Sequence, residues 1–566
     1  MPTLIDSGEP MAGTTAGELI ADVPGGDGPN STINGNDGND LIFGDSDVLV
    51  TSYAGQGNTS IAAAQNIDAS GVWSTSVVNP TIVVVGPHTT LYVEPAAGQQ
   101  RYFAVTIGAG QTITLDVDFT FSNSGNWGMG TGNTSVPTAL AVLDASAAVL
   151  ASAAYSVTPD FGSPEAFDSY LTFTAASAGI YYIRLSELES DAIGHGPFEG
   201  GEQVLLNVSV TGHAATAPSI TSGNDVIDGG NGNDTILGML GIDTVHGGEL
   251  NDTIYSTGQG SYYGDGGFDT IFAANGLAET LDGGDWIDML DTTATALDYV
   301  IDLNTGVTNY AGESFVNFEQ ARTGVGHDTI TGTTLANYIL TGDGNDTVHA
   351  GDGSDFLNGG KGSDTLYGED GSDTLQDGYN PFGTDVDTLD GGDGDDLMYF
   401  ENGTQNGGGA HGGAGIDSLV MYNVSPGDLT VELDGVTTHG AEIMATDGFE
   451  NFTTLSYNAF TVKGTAANNT INTSEGNDVL YGFAGTDTLN GQGGADTLIG
   501  GSGVDTLAGG AGNDLLYVDD AGDVVVEAVG EGTSDRVLAG VSYALAAVPA
   551  LLSVVSRSTC TPAPSE

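Results

Sequence analysis

Residues 341–376 read TGDGNDTVH AGDGSDFLN GGKGSDTLY GEDGSDTLQ, and they form four consecutive blocks of nine. In every block the fourth residue is glycine, the sixth is aspartate and the eighth is aliphatic. In the third block these residues are Gly362, Asp364 and Leu366. A disordered acidic linker has no physical need for an aliphatic residue at every ninth place, so the pattern indicates a structural repeat.

The chemistry of one block predicts a tight turn followed by a very short strand. Glycine, asparagine and aspartate in the first six places tolerate positive φ, which allows the chain to turn sharply. The last three places, such as Thr365, Leu366 and Tyr367, form a strand that is too short to be stable alone. Because side chains alternate along a strand, the aliphatic residues of successive coils stack into one narrow core. We therefore predict an all-β fold built around a parallel β-roll.

The turns of such a roll bring the aspartates of successive coils into register, and we expect these carboxylates on the outside of the roll. Stacked like charges repel each other, so the arrangement needs a cation between coils. Calcium suits this position because it is a hard cation that takes about six to eight oxygens, from carboxylates and from carbonyls. We therefore expect multiple Ca²⁺ ions as the cofactor and a fold that depends on them.

The repeat resembles the pattern GGxGxDxUx of RTX proteins, whose hemolysin-type nonapeptides bind calcium. The resemblance implies a parallel β-roll with two nonapeptides in each coil. It also implies that each ion lies between adjacent turns, bound by sixth-place aspartates and backbone carbonyls. Asp288 and Asp417 occupy the sixth place of the repeat. The candidate metal ligands occupy the same place, and they are Asp40, Asp225, Asp234, Asp243, Asp252, Asp269, Asp328, Asp346, Asp355, Asp364, Asp373, Asp387, Asp396, Asp478, Asp487, Asp496, Asp505 and Asp514.

The repeats form three arrays with strand-rich inserts between them. Each insert precedes a block with asparagine at the sixth place, Asn337 or Asn469, and we interpret the inserts as calcium-free coils of a duplicated solenoid. The phrase YVDDAGDVVVEAVGEGTSDRVLAGVSYALAA after the last array resembles the segment that ends RTX arrays, and it would cap the solenoid. The predicted divisions are a loose leader at 1–24, a short repeat piece at 25–45 that docks on the next domain or the main roll, arrays at 216–291, 326–417 and 464–517, inserts at 292–325 and 418–463, and a cap with an export signal at 518–566.

Residues 46–215 lack the nonapeptide and carry short alternating strands with glycine or Asx turns between them. This pattern predicts a β-sandwich or jelly roll. Over residues 85–212, the order of the phrases AGQQRYFAVTIGAGQTITLDVD, LAVLDASAAVLAS and YLTFTAASAGIYYIRLSE resembles the bacterial pre-peptidase C-terminal domain. The resemblance implies an accessory, non-catalytic module of the kind attached to secreted hydrolases.

The charge of the chain limits its partners. It contains 76 acidic and seven basic residues, which gives a formal net charge of −69 at pH 7. A chain this acidic is repelled by nucleic acids and by anionic membrane surfaces. No apolar run has the length of a membrane span. Cys560 is the only cysteine, so no intramolecular disulfide can form.

The first residues lack the basic and apolar regions of a secretory signal. The RTX resemblance implies instead an uncleaved C-terminal export signal and passage through a type I secretion apparatus. Low cytosolic calcium would keep the chain unfolded for export, and the higher concentration outside would fold it. We therefore expect an extracellular bacterial protein, either secreted or associated with the cell surface.

The leading hypothesis is a calcium-binding structural or adhesive protein with a cell-surface or carbohydrate partner. No catalytic motif is recognised, since no histidine is followed by glutamate and no serine has glycine two places before and two places after it. A secreted hydrolase with its active site in 46–215 is the alternative. A third hypothesis is ice or surface binding through seventh-place threonines such as Thr365 and Thr374, although β-propensity also explains these residues. We expect the tryptophans to cover cores rather than to bind sugar: Trp73, Trp127 and Trp286.

Overall fold

The chain divides into two compact units in a computed structural model. Unit 1 comprises Met1–Ala294 and Tyr310–Val316, and unit 2 comprises Thr295–Asn309 and Asn317–Glu566. No helix within the described residues is long and apolar enough to cross a membrane. The residues that the structure describes are 11–12, 19–22, 32–35, 41–45, 51–52, 60, 62, 64–67, 88–93, 100–121, 138–154, 170–187, 203–211, 224–238, 241–256, 259–274, 278–378, 385–401, 407–422, 424, 429–439, 442–527, 531–543 and 553–556.

Unit 1 contains a β-sandwich, as the alternating strands predict. Its two sheets pair mainly in antiparallel fashion and enclose one apolar core that includes Phe103, Ile113, Leu140 and Ile183. One sheet consists of Gln65–Asn66, Arg101–Ile107, Thr138–Leu143, Val149–Ala154 and Gly179–Glu187. The other consists of Thr51–Ser52, His88–Val93, Thr112–Phe121, Tyr170–Thr174 and Gln203–Val210.

Unit 1 also contains a parallel solenoid with two sheets. The first sheet stacks the strands Met11–Ala12, Thr32–Asn34, Val226–Asn231, Asp243–Glu249, Gly260–Gly266, Glu279–Asp282 and Ser314–Val316. The second sheet stacks Leu19–Asp22, Leu41–Asp45, Thr235–Leu237, Thr253–Tyr255, Thr270–Phe272 and Met289–Asp291.

Unit 2 repeats this architecture. Its first sheet contains Val300–Asp302, Val307–Thr308, Thr329–Thr331, Thr347–Gly353, Thr365–Gly371, Thr388–Asp393, Gly409–Ala414, Leu429–Glu432, Gly435–His439, Glu442–Asp447, Phe460–Lys463, Val479–Ala484, Thr497–Ser502, Leu515–Val518, Arg536–Ala539 and Ser553–Ser556. Its second sheet contains Gln320–Arg322, Tyr338–Leu340, Phe356–Asn358, Thr374–Gln376, Leu397–Glu401, Ser418–Tyr422, Asn451–Thr454, Thr470–Asn472, Thr488–Asn490, Thr506–Ala508 and Val524–Val526. A small ribbon pairs Gly493–Gly494 with Ala511–Gly512.

The eighth residue of each block forms the core of the solenoid. Val348 lies opposite Leu366 in one sheet, and Leu357 lies opposite Leu375 in the other. All four side chains are fully buried. Partners in a sheet are therefore 18 residues apart, so one coil holds two nonapeptides, one for each sheet. The predicted parallel β-roll is confirmed.

The N-terminal strands differ from the loose leader that the sequence predicts over residues 1–24. Met11–Ala12 and Leu19–Asp22 pair in parallel with the strands of the short repeat piece. Their aliphatic residues supply short strands without the glycine-rich turn that marks a repeat, which is why the pattern missed them. The repeat piece itself pairs with the main roll, where Ile33 lies opposite Ile227 and Ile42 opposite Ile236.

The insert at 418–463 contains three consecutive strands that pair in antiparallel fashion within the otherwise parallel sheet. Leu429–Glu432, Gly435–His439 and Glu442–Asp447 form a meander. Its outer strands rejoin the parallel sheet, because Leu429–Glu432 pairs with Phe460–Lys463 and Glu442–Asp447 pairs with Gly409–Ala414. The insert therefore widens a coil of unit 2 without ending the stack.

Substitution of a fourth-place glycine tests how closely the turns of successive coils stack on one another. Gly371 has a φ of +153°, and a Cβ built on it would lie 1.4 Å from the carbonyl oxygen of Gly353 in the preceding coil. We expect Gly371→Ala to lower the free energy of unfolding in calcium by at least about 2 kcal/mol, because the backbone must shift and strain. Gly493→Ala is the matched control, since the nearest atom to its Cβ would be Cγ of Glu475 at 3.5 Å, an ordinary van der Waals contact. Denaturant unfolding measures both variants, and equal stability would contradict the close stacking of the turns.

Candidate metal centre

In both units the sixth-place aspartates join successive coils in ladders. Most of them lie at or directly before the start of a strand, and their backbone N–H donates a hydrogen bond to Oδ1 of the corresponding aspartate one coil further on. The N–H of Asp346 donates to Oδ1 of Asp364 at 2.8 Å. In the other sheet, the N–H of Asp355 donates to Oδ1 of Asp373 at 2.8 Å. One oxygen of each carboxylate therefore holds neighbouring coils together.

The ladder aspartates are buried, so the expectation that they lie on the outside of the roll is wrong. Asp364 and Asp373 are each only 1% exposed. The carboxylate of each of these two aspartates lies beside the backbone of the glycine five residues earlier in the chain. A Cβ built on Gly368 would lie 2.3 Å from Oδ2 of Asp373, so a side chain there would displace the carboxylate. The glycine of the turn therefore allows the backbone to close over the aspartate.

The second oxygen of these carboxylates, Oδ2, is buried and accepts no hydrogen bond. The Cβ built on Gly368 would also lie 2.6 Å from the carbonyl oxygen of Gly391 in the next coil, so oxygens of two coils converge there. A buried carboxylate oxygen without a donor is costly, and a cradle of oxygens alone suits a hard cation such as calcium. The residues therefore fit ions held between coils. This oxygen is found in Asp252, Asp269, Asp328, Asp346, Asp355, Asp364, Asp373, Asp396, Asp417, Asp478, Asp487, Asp496, Asp505 and Asp514.

Asparagine at the sixth place satisfies the same cradle without a cation. Oδ1 of Asn337 accepts the N–H of Thr333 at 2.8 Å, and its Nδ2 donates to the carbonyl oxygen of Glu319 at 2.8 Å. Asn469 is held in the same way by a backbone N–H and a carbonyl oxygen, at 2.7 and 3.0 Å. Because the amide carries its own donor, these two positions need no ion.

Burial raises the pKa of the ladder aspartates. The pKa of Asp364 rises to about 8, mainly through burial, and the carboxylates of Asp387 and Asp346 raise it further. Burial also raises the pKa of Asp346 and of Asp355 to about 6. Without a cation, these groups therefore hold protons at pH values where a solvated aspartate is ionised. Calcium must displace those protons when it binds.

The structure brings the candidate ligands together as the repeat predicts. Asp40 lies outside the described residues. All the other candidate ligands are buried at the sixth place, and so are Asp288 and Asp417. That each of them ligates calcium stays a prediction.

Two aspartates beyond the last array were missed by the sequence reasoning. Oδ1 of Asp523 accepts the N–H of Asp505 at 3.0 Å, and Oδ1 of Asp535 accepts the N–H of Asp514 at 3.1 Å. Both aspartates directly precede short aliphatic strands, Val524–Val526 and Arg536–Ala539. A search for an aspartate followed two places later by an aliphatic residue would have found them without the glycines.

Glutamates also extend the ladders, and the period of nine gives no signal for them. Oε2 of Glu450 accepts the N–H of Asp417 at 2.9 Å. Oε1 of Glu527 accepts the N–H of Gly509 at 3.2 Å, and its Oε2 is buried without a hydrogen bond. A Cβ built on Gly509 would lie 2.5 Å from Oε1 of Glu527 and 2.6 Å from Oδ2 of Asp514. Beside Gly509, the carboxylate of Glu527 therefore takes the place that a backbone carbonyl oxygen of the next coil has beside the corresponding glycines of earlier coils.

Comparison with known families identifies the repeat. The family model of the RTX calcium-binding nonapeptide repeat (4 copies) matches residues 25–48, 219–255, 322–357, 340–375, 383–404, 463–498 and 491–525. These segments contain most of the turns that carry the ladder aspartates. No curated protein matches the chain.

The raised pKa values predict an unusual pH dependence for the calcium-free protein. An aspartate whose pKa is higher in the folded state stabilises the fold below its unfolded pKa, about 4, and this contribution is lost as the pH rises through the folded pKa. The folded values are about 6 for Asp346 and about 8 for Asp364. We therefore expect the calcium-free protein to retain more β-sheet signal in circular dichroism at about pH 5.5 than at about pH 8, where it should be largely unfolded.

With saturating calcium the order should reverse, because calcium binds the ionised carboxylates. Thermal unfolding followed by circular dichroism, after dialysis against calcium-free buffer, measures both cases. Calcium-free stability that rises with pH would contradict the assignment.

A single carboxylate in the ladder can be tested by an isosteric substitution. Asp364→Asn keeps the acceptor for the N–H of Asp346 and removes the charge that a cation needs. We expect this variant to bind at least one calcium ion fewer per chain by calorimetric titration. Asp370→Asn is the matched control, because Asp370 lies in the same coil and is exposed. Equal stoichiometry in both variants would show that Asp364 is not a ligand.

Proposed function

We propose that this chain, which carries RTX calcium-binding nonapeptide repeats, is an extracellular protein that calcium folds after export and that has a structural or adhesive role. Its calcium binding follows from the repeats. The export route, the location outside the cell and the adhesive role are the parts that we propose.

One observation carries the proposal: buried carboxylate oxygens without hydrogen bonds recur along the solenoid in both units. In unit 1 they include Oδ2 of Asp252 and Asp269, and in unit 2 those of Asp364 and Asp496. A fold in which this cost recurs in coil after coil is stable only when a cation is bound at the same intervals. Calcium is therefore a condition of folding for this chain rather than an accessory to it.

This dependence suits a protein that crosses the envelope unfolded. The formal charge of −69 opposes compaction while calcium is scarce, as in a cytosol, and bound divalent ions reduce the repulsion outside. We propose a type I secretion apparatus as the partner during export, with the export signal in residues 518–566. The calcium gradient then makes folding a one-way step after translocation.

An adhesive role is supported by an exposed aromatic side chain in unit 1. Trp286 is 71% exposed, and its ring contacts that of Phe268 edge to face, with 5.8 Å between centroids. The expectation that Trp286 covers a core is wrong; Trp73 and Trp127 lie outside the described residues. Exposed aromatic rings offer the flat apolar faces on which sugars and other surface ligands stack. We propose a carbohydrate or cell-surface partner on this basis.

Calcium removal tests the function directly. We expect exhaustive dialysis against EGTA at neutral pH and low salt to abolish most of the β-sheet signal in circular dichroism, and added calcium to restore it. Magnesium is the control, because it demands a smaller octahedral site and should restore much less of the signal. An unchanged sheet signal after chelation would refute the proposal.

A further inference from the structure

Apolar side chains stand on the turns of three successive coils in unit 1. Leu250 and Trp286 occupy the fourth place of their blocks, which is glycine in all four blocks of residues 341–376. Phe268 and Ile287 occupy the fifth place. We call these four residues the apolar ridge. Their exposed fractions are 58% for Leu250, 50% for Phe268, 71% for Trp286 and 46% for Ile287.

The turns that carry the apolar ridge stack directly on one another. The N–H of Phe268 donates to Oδ1 of Asn251 at 3.1 Å. The N–H of Gly267 donates to the carbonyl oxygen of Asp285 at 3.3 Å. The rings of Phe268 and Trp286 meet edge to face, with 5.8 Å between centroids. Because neighbouring parallel strands lie about 4.8 Å apart, the ridge extends for about 10 Å along the stack.

Two residues of the apolar ridge have a backbone conformation that disfavours a side chain. The φ angle is +82° at Leu250 and +97° at Trp286. At the fourth place in unit 2, Gly353 and Gly371 also have positive φ, which glycine adopts without strain. Leucine and tryptophan adopt it only at a cost, and their exposed side chains gain little burial in return. Since stability does not favour these two residues at their places, a binding role accounts for them better.

Carboxylates flank the apolar ridge. Glu249 directly precedes Leu250, Asp285 directly precedes Trp286, and both acidic residues are exposed. An ionised carboxylate only accepts hydrogen bonds, so the ridge suits a ligand that combines apolar faces with hydroxyl donors. The same charges repel a polyanion, and they repel the ridge of a second copy of this chain.

We propose that the apolar ridge binds a linear polysaccharide of uncharged sugars, which lies along the stacked turns. The coil spacing of about 4.8 Å is close to the length of one pyranose unit in an extended polysaccharide, so each coil meets about one sugar ring. The C–H face of a sugar stacks on the rings of Trp286 and Phe268. Hydroxyl groups at the edge of the sugar donate to Glu249 and Asp285. The inference rests on the proposed adhesive role and names the class of its partner.

The substitution Trp286→Gly restores the glycine of the repeat and separates binding from folding. We expect this variant to bind cellulose at least about tenfold more weakly, because a stacked aromatic face is lost. Its melting temperature in saturating calcium should equal that of the original protein or exceed it, because glycine relieves the strain at a φ of +97°. Depletion of the full chain from solution by microcrystalline cellulose, with thermal unfolding of the same samples, measures both quantities.

Phe483→Gly is the matched control. Phe483 lies in unit 2, has a φ of +72° and is 44% exposed, so the substitution removes another exposed aromatic ring from a residue with positive φ. We expect this variant to bind cellulose as the original protein does. Binding that is unchanged by Trp286→Gly, or reduced equally by both substitutions, overturns the proposal. A lower melting temperature of the Trp286→Gly variant also overturns it, because Trp286 would then have a structural role.

A second measurement needs no variant. Beads of carboxymethyl cellulose present the same backbone with negative charges, and the original protein in excess calcium should bind them at least about tenfold more weakly than cellulose beads. Equal or tighter binding to the charged beads overturns the assignment to uncharged sugars. Self-association that Trp286→Gly abolishes, followed by analytical sedimentation, would assign the ridge to a second copy of the chain and overturns it as well.

Failure of this inference is distinguishable from failure of the proposed calcium-dependent folding. A protein that folds with calcium and does not bind cellulose overturns the polysaccharide site and leaves the calcium-dependent fold intact. A protein whose sheet signal survives chelation and that binds cellulose through Trp286 refutes the calcium-dependent folding and supports the site.

Discussion

Successive coils of the solenoid are joined at their turns by a backbone N–H that donates to one oxygen of a buried aspartate. That hydrogen bond sets the orientation of the carboxylate, and it leaves the second oxygen facing other oxygens rather than donors. The same group therefore tightens the stack and introduces a repulsion that grows with every coil. A divalent ion between coils resolves both effects, since it binds the free oxygen and neutralises neighbouring charges. The sheets and the apolar core take their positions from this arrangement.

The exceptions show what the aspartate is for. At Asn337 an amide occupies the same cradle, donates to a carbonyl oxygen and removes the need for an ion. At Glu450 a longer carboxylate still accepts the N–H of the preceding coil. A hydrogen bond to the preceding coil is thus kept in both cases, although at Asn337 the side chain donates it to a carbonyl oxygen instead of accepting it from an N–H. Stacking and cation binding are separable properties of one position, and the chain alternates stretches that have both with coils that have only the first.

The period of nine predicts much of this architecture because strand alternation and coil length follow from spacing alone. The stacking of Leu366 on Val348 is one such consequence. The burial of Asp364 does not follow from spacing, because it depends on how closely the backbone of the turn folds over the side chain. Glu527 could not be predicted because its longer side chain reaches the ladder from a different place in the sequence. Trp286 is exposed because it lies in a turn, where its backbone has a φ of +97°.

The position of the β-sandwich in unit 1 has a consequence for the order of assembly. Ile33 and Ile42 are fully buried, and their strands pair with the array that begins at Val226. In the sequence, the whole sandwich lies between Ile42 and Val226. Closing a loop this long costs little more entropy than closing a shorter one. Two isolated repeats, however, have no stable surface of their own. The coil that carries Ile33 and Ile42 must therefore add to an array that is already formed. The strands Met11–Ala12 and Leu19–Asp22 pair with the other edge of that coil and continue the stack beyond it.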